Sequence, residues 1–334
     1  MAPPRPVKQP DFVSILEAAY RHDESDDVWF ENLVRTAKPA IDVGLGIAGF
    51  FYDLSNPAAP HIHAPLIDGT PEGAQEALWS ILAQAPKEMY AKIFRPLPSC
   101  GLLSEYLDLG ARIADEPLHR KYLEPLGIRD FLTVATAETS AKGCLFGAPI
   151  AEVGGATTTC EAWSKVAAHM AAGLRLRRAQ SKPHEAVVTP SGRVEHAEGV
   201  AKQSGSIDAL KRAVQGMERA RGPMRRSAPE RAMGEWTALV AGQWSLVDQF
   251  EQDGKRYIVA LRNAPKLSGS VASLSAREQQ VLEYAARGDS NKLIAYELGL
   301  SRSTIAMCLS RCAVKLGVKS RVALIQAYLH ARTQ

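Results

Sequence analysis

Apolar residues recur at helical spacing directly after a proline-rich stretch, residues 1–10, that is predicted to be a disordered tail. A first helix is predicted from its apolar face, which is formed by Phe12, Ile15, Leu16 and Ala19. A second helix is predicted after Asp26 and Asp27, because two acidic residues suit the positive end of a helix dipole. Its predicted inward-facing residues are Val28, Trp29, Leu33 and Val34.

Strand and helix patterns then alternate up to residue 180. Runs rich in glycine, β-branched and aromatic residues predict strands at residues 44–54, 61–66, 128–137 and 143–150. Helical spacing predicts helices at residues 71–84, 86–94 and 101–111, and a long exit helix at 159–180. In a strand at 44–54, alternation puts Phe50 and Tyr52 on one face and Phe51 on the other.

A smaller patterned region occupies residues 181–264. Two hairpins are predicted there, from residues 185–189 with 193–196, and from residues 243–250 with 255–263 around Asp253–Gly254. Helices are predicted between them at residues 206–221 and 229–241. Residues 265–273 are small and polar, with glycine and serine, and are predicted to be a linker.

The final segment, residues 274–334, has the clearest signals for helix starts and helix ends in the chain. Ser275 with Glu278 three residues later forms a capping box, and Ser290 and Ser301 are predicted to cap two further helices. Glycines end or turn the helices at positions 288, 299 and 317, and Ser320 opens a fourth. The predicted inward residues are Val281, Leu282, Ala285, Ile294, Leu298, Ile305, Leu309, Cys312, Leu316, Val322, Leu324, Ile325 and Leu329.

Helix, short glycine turn and helix is the layout of a helix-turn-helix, whose second helix enters the DNA major groove. The stretches LSAREQQVLEYAARGDSNKLIAYELGLSRSTI and KLGVKSRVALI resemble the four-helix DNA-binding domain of the LuxR/FixJ family. The residues at family spacing are Glu278, Val281, Leu282, Gly288, Ser290, Asn291, Lys292, Ile294, Ala295, Leu298, Ser301, Thr304, Lys315, Leu316 and Gly317.

The sequence departs from that family on its predicted recognition helix, residues 302–316. Ala306 and Cys308 stand where the family often has lysine and histidine, so the outer face is less basic than usual. That predicted outer face consists of Arg302, Ser303, Ala306, Met307, Ser310, Arg311 and Val314. Base contacts are expected from hydrogen bonds of Ser310 and Arg311 and from thymine-methyl contacts of Ala306 and Met307. Phosphate contacts are expected from Lys292, Ser301, Arg302, Thr304 and Lys315.

The fourth helix is predicted to carry the contacts of a homodimer, as the family resemblance implies. Val322, Ile325, Gln326 and Leu329 offer more apolar surface than a small domain needs to bury. The four helices include their own caps and apolar positions, so residues 267–334 are expected to bind double-stranded DNA alone.

The layout of residues 11–180 resembles a GAF- or PAS-type sensor domain, and that of residues 181–264 resembles a PAS domain. Residues 163–178 are similar to the exit helix of regulators that pair a GAF-like domain with a LuxR-type end. The predicted fold class is therefore α+β, with one or two GAF/PAS-like sensor domains followed by an all-α helix-turn-helix domain. A ligand pocket beside the sheet is expected to include Phe50, Tyr52, Phe131 and Phe146.

Charge distribution supports a regulator that touches DNA at one end. Residues 1–174 contain 14 basic and 22 acidic residues, whereas residues 271–334 contain 9 basic and 4 acidic residues. The five cysteines are odd in number and lack CxxC spacing, which predicts a reducing, cytoplasmic setting. No run of apolar residues approaches the length of a membrane span, and no signal peptide pattern opens the chain.

Other chemistry is less well supported by the sequence. His61 and His63 would need a third ligand to bind a metal, and Cys308 with Cys312 is more typical of a core helix. Motifs of metalloproteases, P-loops, serine hydrolases and dinucleotide-binding domains are absent, so no cofactor and no enzymatic activity are expected. Two alternatives stay open: a hub whose front domains bind a partner protein, and an enzyme with a DNA-binding tail.

Overall fold

The computed structural model describes residues 10–53, 61–86, 99–107, 109–136, 142–151, 160–178, 184–250, 255–263 and 274–333. The linker predicted at 265–273, the turn at Asp253–Gly254, most of the helix predicted at 86–94 and nearly all of the predicted tail lie outside these residues. The chain divides into two compact units, Met1–Ala167 and Ala168–Gln334. No helix in the described part of the chain is long and apolar enough to cross a membrane.

The first unit is built on a five-stranded antiparallel sheet with the order β2-β1-β5-β4-β3. Its strands are β1 Ile47–Asp53, β2 His61–Asp68, β3 Cys100–Leu102, β4 Asp130–Ala135 and β5 Lys142–Ile150. Its α-helices are α1 Phe12–Ala19, α2 Asp26–Ile41, α3 Ala74–Gln84 and α4 Leu103–Tyr106. Short 3-10 and π turns occupy Gly110–Asp115, His119–Leu123 and Glu124–Leu126.

An aromatic core lies on one face of this sheet. The rings of Phe30 and Phe51 are 4.8 Å apart, and Trp163 makes an edge contact with Phe146 at 6.0 Å. Phe12 completes the cluster, with its ring centroid 5.6 Å from that of Trp163. Burying several aromatic rings together supplies much of the apolar area that holds helices against a sheet.

Helix α5, Cys160–Arg178, follows the first sheet, and the division between the two units falls inside it. It matches the predicted exit helix over all the residues described there. Its small residues Ala162, Ala167, Ala168, Ala171 and Ala172 are buried, so this is a packed helix along most of its length.

The second unit has a four-stranded antiparallel sheet with the order β7-β6-β9-β8. Its strands are β6 His184–Val188, β7 Val194–Ala197, β8 Trp244–Phe250 and β9 Arg256–Arg262, so both predicted hairpins are confirmed. The helices between the hairpins are α6 Ser204–Arg221, α7 Met224–Ser227 and α8 Pro229–Glu235.

Four helices complete the second unit: α9 Ala276–Ala286, α10 Asn291–Leu298, α11 Arg302–Lys315 and α12 Arg321–Thr333. The whole architecture is α+β, as predicted, and the antiparallel sheets are compatible with GAF- or PAS-type domains. The predicted domain boundaries at 180/181 and 264/265 stay predictions.

Three local predictions were wrong. Val28 is 46 % exposed because its neighbours Trp29 and Phe30 occupy the buried positions of α2. The helix predicted at 101–111 begins as strand, since Cys100–Leu102 pairs with β4. The helix predicted at 229–241 ends at Glu235, and the chain then forms a bridge between Val240 and Trp244. Long-range pairing decided the last two, and helical spacing carries no information about it.

Candidate nucleic-acid interface

Helices α9 to α12 begin where their capping residues predicted. The Ser275 side chain accepts from the Glu278 backbone N–H, and the Glu278 carboxylate accepts from the Ser275 N–H at 2.7 Å, which completes the capping box. Ser290 and Ser301 accept from the backbone N–H groups of Leu293 and Thr304. These caps satisfy N–H groups that the helix itself leaves without partners.

A single apolar cluster joins the four helices. Its fully buried members include Val281, Leu282, Ala285, Ile294, Leu298, Ile305 and Cys312, as predicted. Gly299, with φ +59°, turns the chain between α10 and α11 in a conformation that side chains rarely adopt. The angle between the two helices is therefore set by a turn residue and a shared core.

The outer face of α11 is open to solvent. All seven residues predicted for it are exposed: Arg302, Ser303, Ala306, Met307, Ser310, Arg311 and Val314. Met307 is 49 % and Val314 79 % exposed, and the Arg311 guanidinium lies 3.6 Å from the Met307 sulfur. A helix face with arginine, serine and apolar groups is suited to reading base edges and thymine methyls. The assignment of these residues to bases stays a prediction.

The residues predicted to contact phosphates differ in their surroundings. Lys292 and Arg302 are exposed at the first turns of α10 and α11. Ser301 shares its hydroxyl with Thr304 at 2.8 Å, as a cap does. Lys315 donates to the Glu278 carboxylate at 2.7 Å, and this hydrogen bond lowers the pKa of Glu278. Lys315 therefore stabilises the α9–α11 contact, which leaves less of its charge for phosphate.

The fourth helix buries only part of the predicted set: Leu324 is confirmed, whereas Tyr328, which was not predicted, takes the other core position. Leu324 and Tyr328 are each 2 % exposed, whereas Val322 and Leu329 are 65 % and 41 % exposed. Val322 and Leu329 were wrongly expected to face inward, because Tyr328 occupies the core position. Together with the partly buried Ile325 and the exposed Gln326, they form an outer surface of mixed character.

A buried charge cluster joins α9, α10 and α12, and the sequence analysis did not identify it. The guanidinium of Arg287 lies over the Tyr284 ring at 3.8 Å, close to the carboxylates of Asp289 and Glu297. Burial raises the pKa of Glu297 to about 8. Arg321 donates to the Asp289 carbonyl at 2.7 Å, which anchors the start of α12.

Helix α10 and its flanking turn are docked on the segment that precedes them, a second feature that the sequence analysis missed. The hydroxyl of Tyr296 donates to the carbonyls of Met233 and Trp236 at 3.0 and 3.2 Å. The same hydroxyl lies 2.7 Å from the Nε2 atom of His169 on α5, at hydrogen-bonding distance. His169 is fully buried, and burial lowers its pKa to about 3.

The contacts of Tyr296 with His169, Met233 and Trp236 form one part of what we call the docked surface. The loop after α8 forms the other part. Leu239 belongs to the apolar cluster of the four helices, so their core includes a residue from outside the predicted domain. Arg277 donates to the Ala241 carbonyl at 2.6 Å, and Gln280 donates to that of Gly242 at 3.1 Å. An added Cβ at Gly299 would lie 2.0 Å from the Leu239 carbonyl oxygen, so this close approach requires glycine.

The predicted pocket residues of the first sheet do not all share a face. The strand register places Phe50, Tyr52 and Phe131 on one face, as predicted for the first two, and Phe146 on the other, where it packs on Trp163. The Tyr52 hydroxyl donates to the Thr136 carbonyl at 2.6 Å. Phe146 is completely buried in the aromatic core, so only the other three could line a common site.

The histidine and cysteine pairs that were considered for metal binding pack against neighbouring groups of the fold. The rings of His61 and His63 stack at 5.2 Å, and the described residues contain no group of three or more metal-ligating side chains. Cys308 and Cys312 are buried in the helical core, where burial raises the pKa of Cys312 to about 11.

Comparison with known proteins agrees with this geometry. Residues 272–328 match the family model described as bacterial regulatory proteins, luxR family. A protein of Pseudomonas aeruginosa named "Putative transcriptional regulator" is 47 % identical to this chain over 53 residues, which are 16 % of this chain. The match spans 26 % of that relative's length. Residues 272–328 are thus a LuxR-family domain.

Proposed function

We propose that this chain, with its LuxR-family domain at residues 272–328, is a sequence-specific transcription regulator that responds to a signal through its front domains. The observation that carries the proposal is the solvent-exposed outer face of α11, the second helix of a helix-turn-helix within a matched regulatory family. Such a domain favours a regulator over an enzyme. Because the proposed target is DNA, the proposed location of the protein is the cytoplasm.

Helix α11 enters the major groove in this proposal. Ser310 and Arg311 donate to base edges, and Ala306 and Met307 contact thymine methyls. Lys292, Ser301, Arg302 and Thr304 stand at the first turns of α10 and α11, where side chains and helix dipoles meet phosphates. Lys315 contributes mainly through its ion pair with Glu278.

A homodimer is proposed to form through α12. Val322 and Leu329 are large apolar residues with substantial exposure, and Ile325 and Gln326 lie on the same helix beside them. Two copies related by a two-fold axis would read half-sites separated by about one turn of DNA.

The signal is proposed to reach the DNA-binding helices through their docked surface. Helix α5 begins against the first sheet and carries His169, which contacts Tyr296 on α10. A small molecule or partner protein beside Phe50, Tyr52 and Phe131 could act only by favouring one arrangement of the chain over another. A small molecule should stabilise the purified protein against heat, whereas a hub for protein partners should show no such response.

Retention of promoter DNA by the full-length chain tests the proposal. We expect selected fragments to be retained, with affinity that falls steeply as salt rises because cationic side chains replace counterions. Arg193→Ala is the matched control, since Arg193 is an exposed arginine at the hairpin of the second sheet. Failure to retain any duplex at low salt, or equal loss in Arg311→Ala and Arg193→Ala, would contradict the proposal.

A further inference from the structure

Two cysteines separated by 60 positions in the sequence meet in the first unit. The sulfur atoms of Cys100 and Cys160 are 2.6 Å apart. Cys100 is the first residue of edge strand β3, and Cys160 is the first residue of α5. A disulfide has an S–S distance of about 2.05 Å, so a shift of about half an ångström would bring the sulfurs to bonding distance.

The two thiols have unequal surroundings, which suits a sequential reaction. Cys100 is 5 % exposed, whereas Cys160 is only partly buried and can be reached from solvent. The hydrogen bond from Cys100 lowers the pKa of Cys160, while the same contact and burial raise the pKa of Cys100. The start of a helix also favours a thiolate. Cys160 is therefore the attacking thiol, and Cys100 is placed to react second.

We propose that Cys100 and Cys160 form a reversible redox site that a hydroperoxide converts to a disulfide. The Cys160 thiolate attacks one peroxide oxygen, the O–O bond breaks, and the leaving hydroxide takes a proton to become water. Cys160 is then a sulfenic acid. The sulfur of Cys100 attacks it, the S–S bond forms, the S–O bond breaks, and the hydroxide leaves as water with the Cys100 proton. In sum, two thiols and one hydrogen peroxide give one disulfide and two waters.

The bond would join the first residue of α5 to an edge strand of the first sheet. A dithiol reductant returns both thiols by disulfide exchange, which makes the modification reversible. The Cys100 and Cys160 thiols are free in this structure. The pair differs from Cys308 and Cys312 because Cys160 is only partly buried, whereas Cys308 and Cys312 are both buried within the helical core.

The experiment titrates reduced full-length protein with hydrogen peroxide and counts thiols after denaturation. We expect the count to fall from five to three and to return to five with dithiothreitol. Mass spectrometry should find one cross-linked peptide pair, containing Cys100 and Cys160 and lighter by two hydrogens. Cys144→Ser is the matched control, since Cys144 is buried in β5, and this variant should keep the cross-link.

Two variants separate the roles of the thiols. Cys100→Ser should trap the Cys160 sulfenic acid, which dimedone labels, whereas Cys160→Ser should give neither label nor cross-link at the site. Thermal unfolding of both variants checks that they are folded. Five thiols remaining in the oxidised wild-type protein, or a cross-link confined to Cys308 and Cys312, would overturn the proposal. The readout is the chemistry of sulfur, so it is independent of DNA binding.

Discussion

Helices α10 and α11 are neighbours in one helix-turn-helix, yet their outer surfaces have opposite surroundings. Helix α11 exposes every residue predicted for its outer face. Helix α10 directs Tyr296 into contacts with His169, Met233 and Trp236, and the turn after it touches the Leu239 carbonyl. Helix α11 therefore has a face that is free to contact a macromolecule such as DNA, whereas α10 is held by contacts with other parts of the second unit.

This difference separates recognition from attachment. A change on the outer face of α11 should alter which DNA is chosen without altering how the helices are held. A change on the docked surface should alter stability and the position of the helices, and should affect all DNA sequences alike. The two classes of variant can therefore be distinguished by measuring unfolding and sequence choice on the same proteins.

The largest effect is expected from Gly299→Ala, which would break the docked surface. The Cβ would meet the Leu239 carbonyl oxygen at 2.0 Å, in addition to the strain of φ +59°. We expect the free energy of unfolding to fall by at least about 3 kcal/mol. Gly317→Ala is the matched control, because Gly317 has φ +67° and nothing within 4 Å. It should lose only about 1–2 kcal/mol; similar losses in both would mean that the close approach contributes nothing.

A smaller effect is expected from acid on the docked surface. The pKa of His169 is about 3 in the folded protein, against 6.5 ordinarily, so the unfolded chain binds the extra proton. Its contribution to stability is therefore complete above pH 6.5 and is lost as the pH falls toward 3. We expect a loss of about 2 kcal/mol between pH 6.5 and 4.5 from this group. Denaturant unfolding at several pH values should show a smaller fall in the free energy of unfolding for His169→Gln than for the wild-type protein. If that free energy falls equally with pH in both proteins, His169 does not contribute to the acid sensitivity.

Sequence choice should respond to Arg311→Ala on the open helix. Loss of a bidentate base contact reduces discrimination between a matched and a scrambled site by about 1–3 kcal/mol. Lys292→Ala should instead weaken binding to both sites about equally. Titrations of both duplexes at one salt concentration make the comparison. The same pattern in the two variants would show that the reading face is assigned wrongly.

The smallest effect is expected from Leu329→Arg on α12. Leu329 is 41 % exposed, so the change should leave the fold intact while placing like charges at the proposed dimer contact. Cooperative occupancy of a double site should fall about tenfold, corresponding to about 1.4 kcal/mol of coupling. Binding to a single half-site should be unchanged. If both sites lose affinity to the same extent, misfolding rather than dimerisation is the cause.

The helix-turn-helix was the most predictable part of the molecule. Capping residues such as Ser275, Ser290 and Ser301 act within one turn of the chain, so the sequence alone locates the starts of α9, α10 and α11. The open face of α11 followed from helical spacing. The inward residues of α12 were less predictable: Leu324 is buried as expected, but Tyr328 takes the core position in place of Val322 and Leu329, and spacing alone does not decide between them.

Strands and hairpins were also predictable where the pattern was local, as for β6 with β7 and for β8 with β9. The pocket residues were only partly predictable. Alternation assigns faces within β1, but the face of Phe146 depends on the register of β5 against β1, where Phe146 stands opposite Gly49. Register between distant strands is set by pairing across the sheet, which a single sequence does not display.

The sequence by itself determined the local features of this protein: helix starts and ends, the hairpins, the LuxR-type motif and the outer face of its second helix. The tertiary structure alone decided which distant groups meet. It brought Tyr296 to His169, Gly299 to the Leu239 carbonyl, and Cys100 to Cys160. The physical reason is range: capping and periodicity act over a few residues, whereas these contacts depend on how packed helices and strands come together.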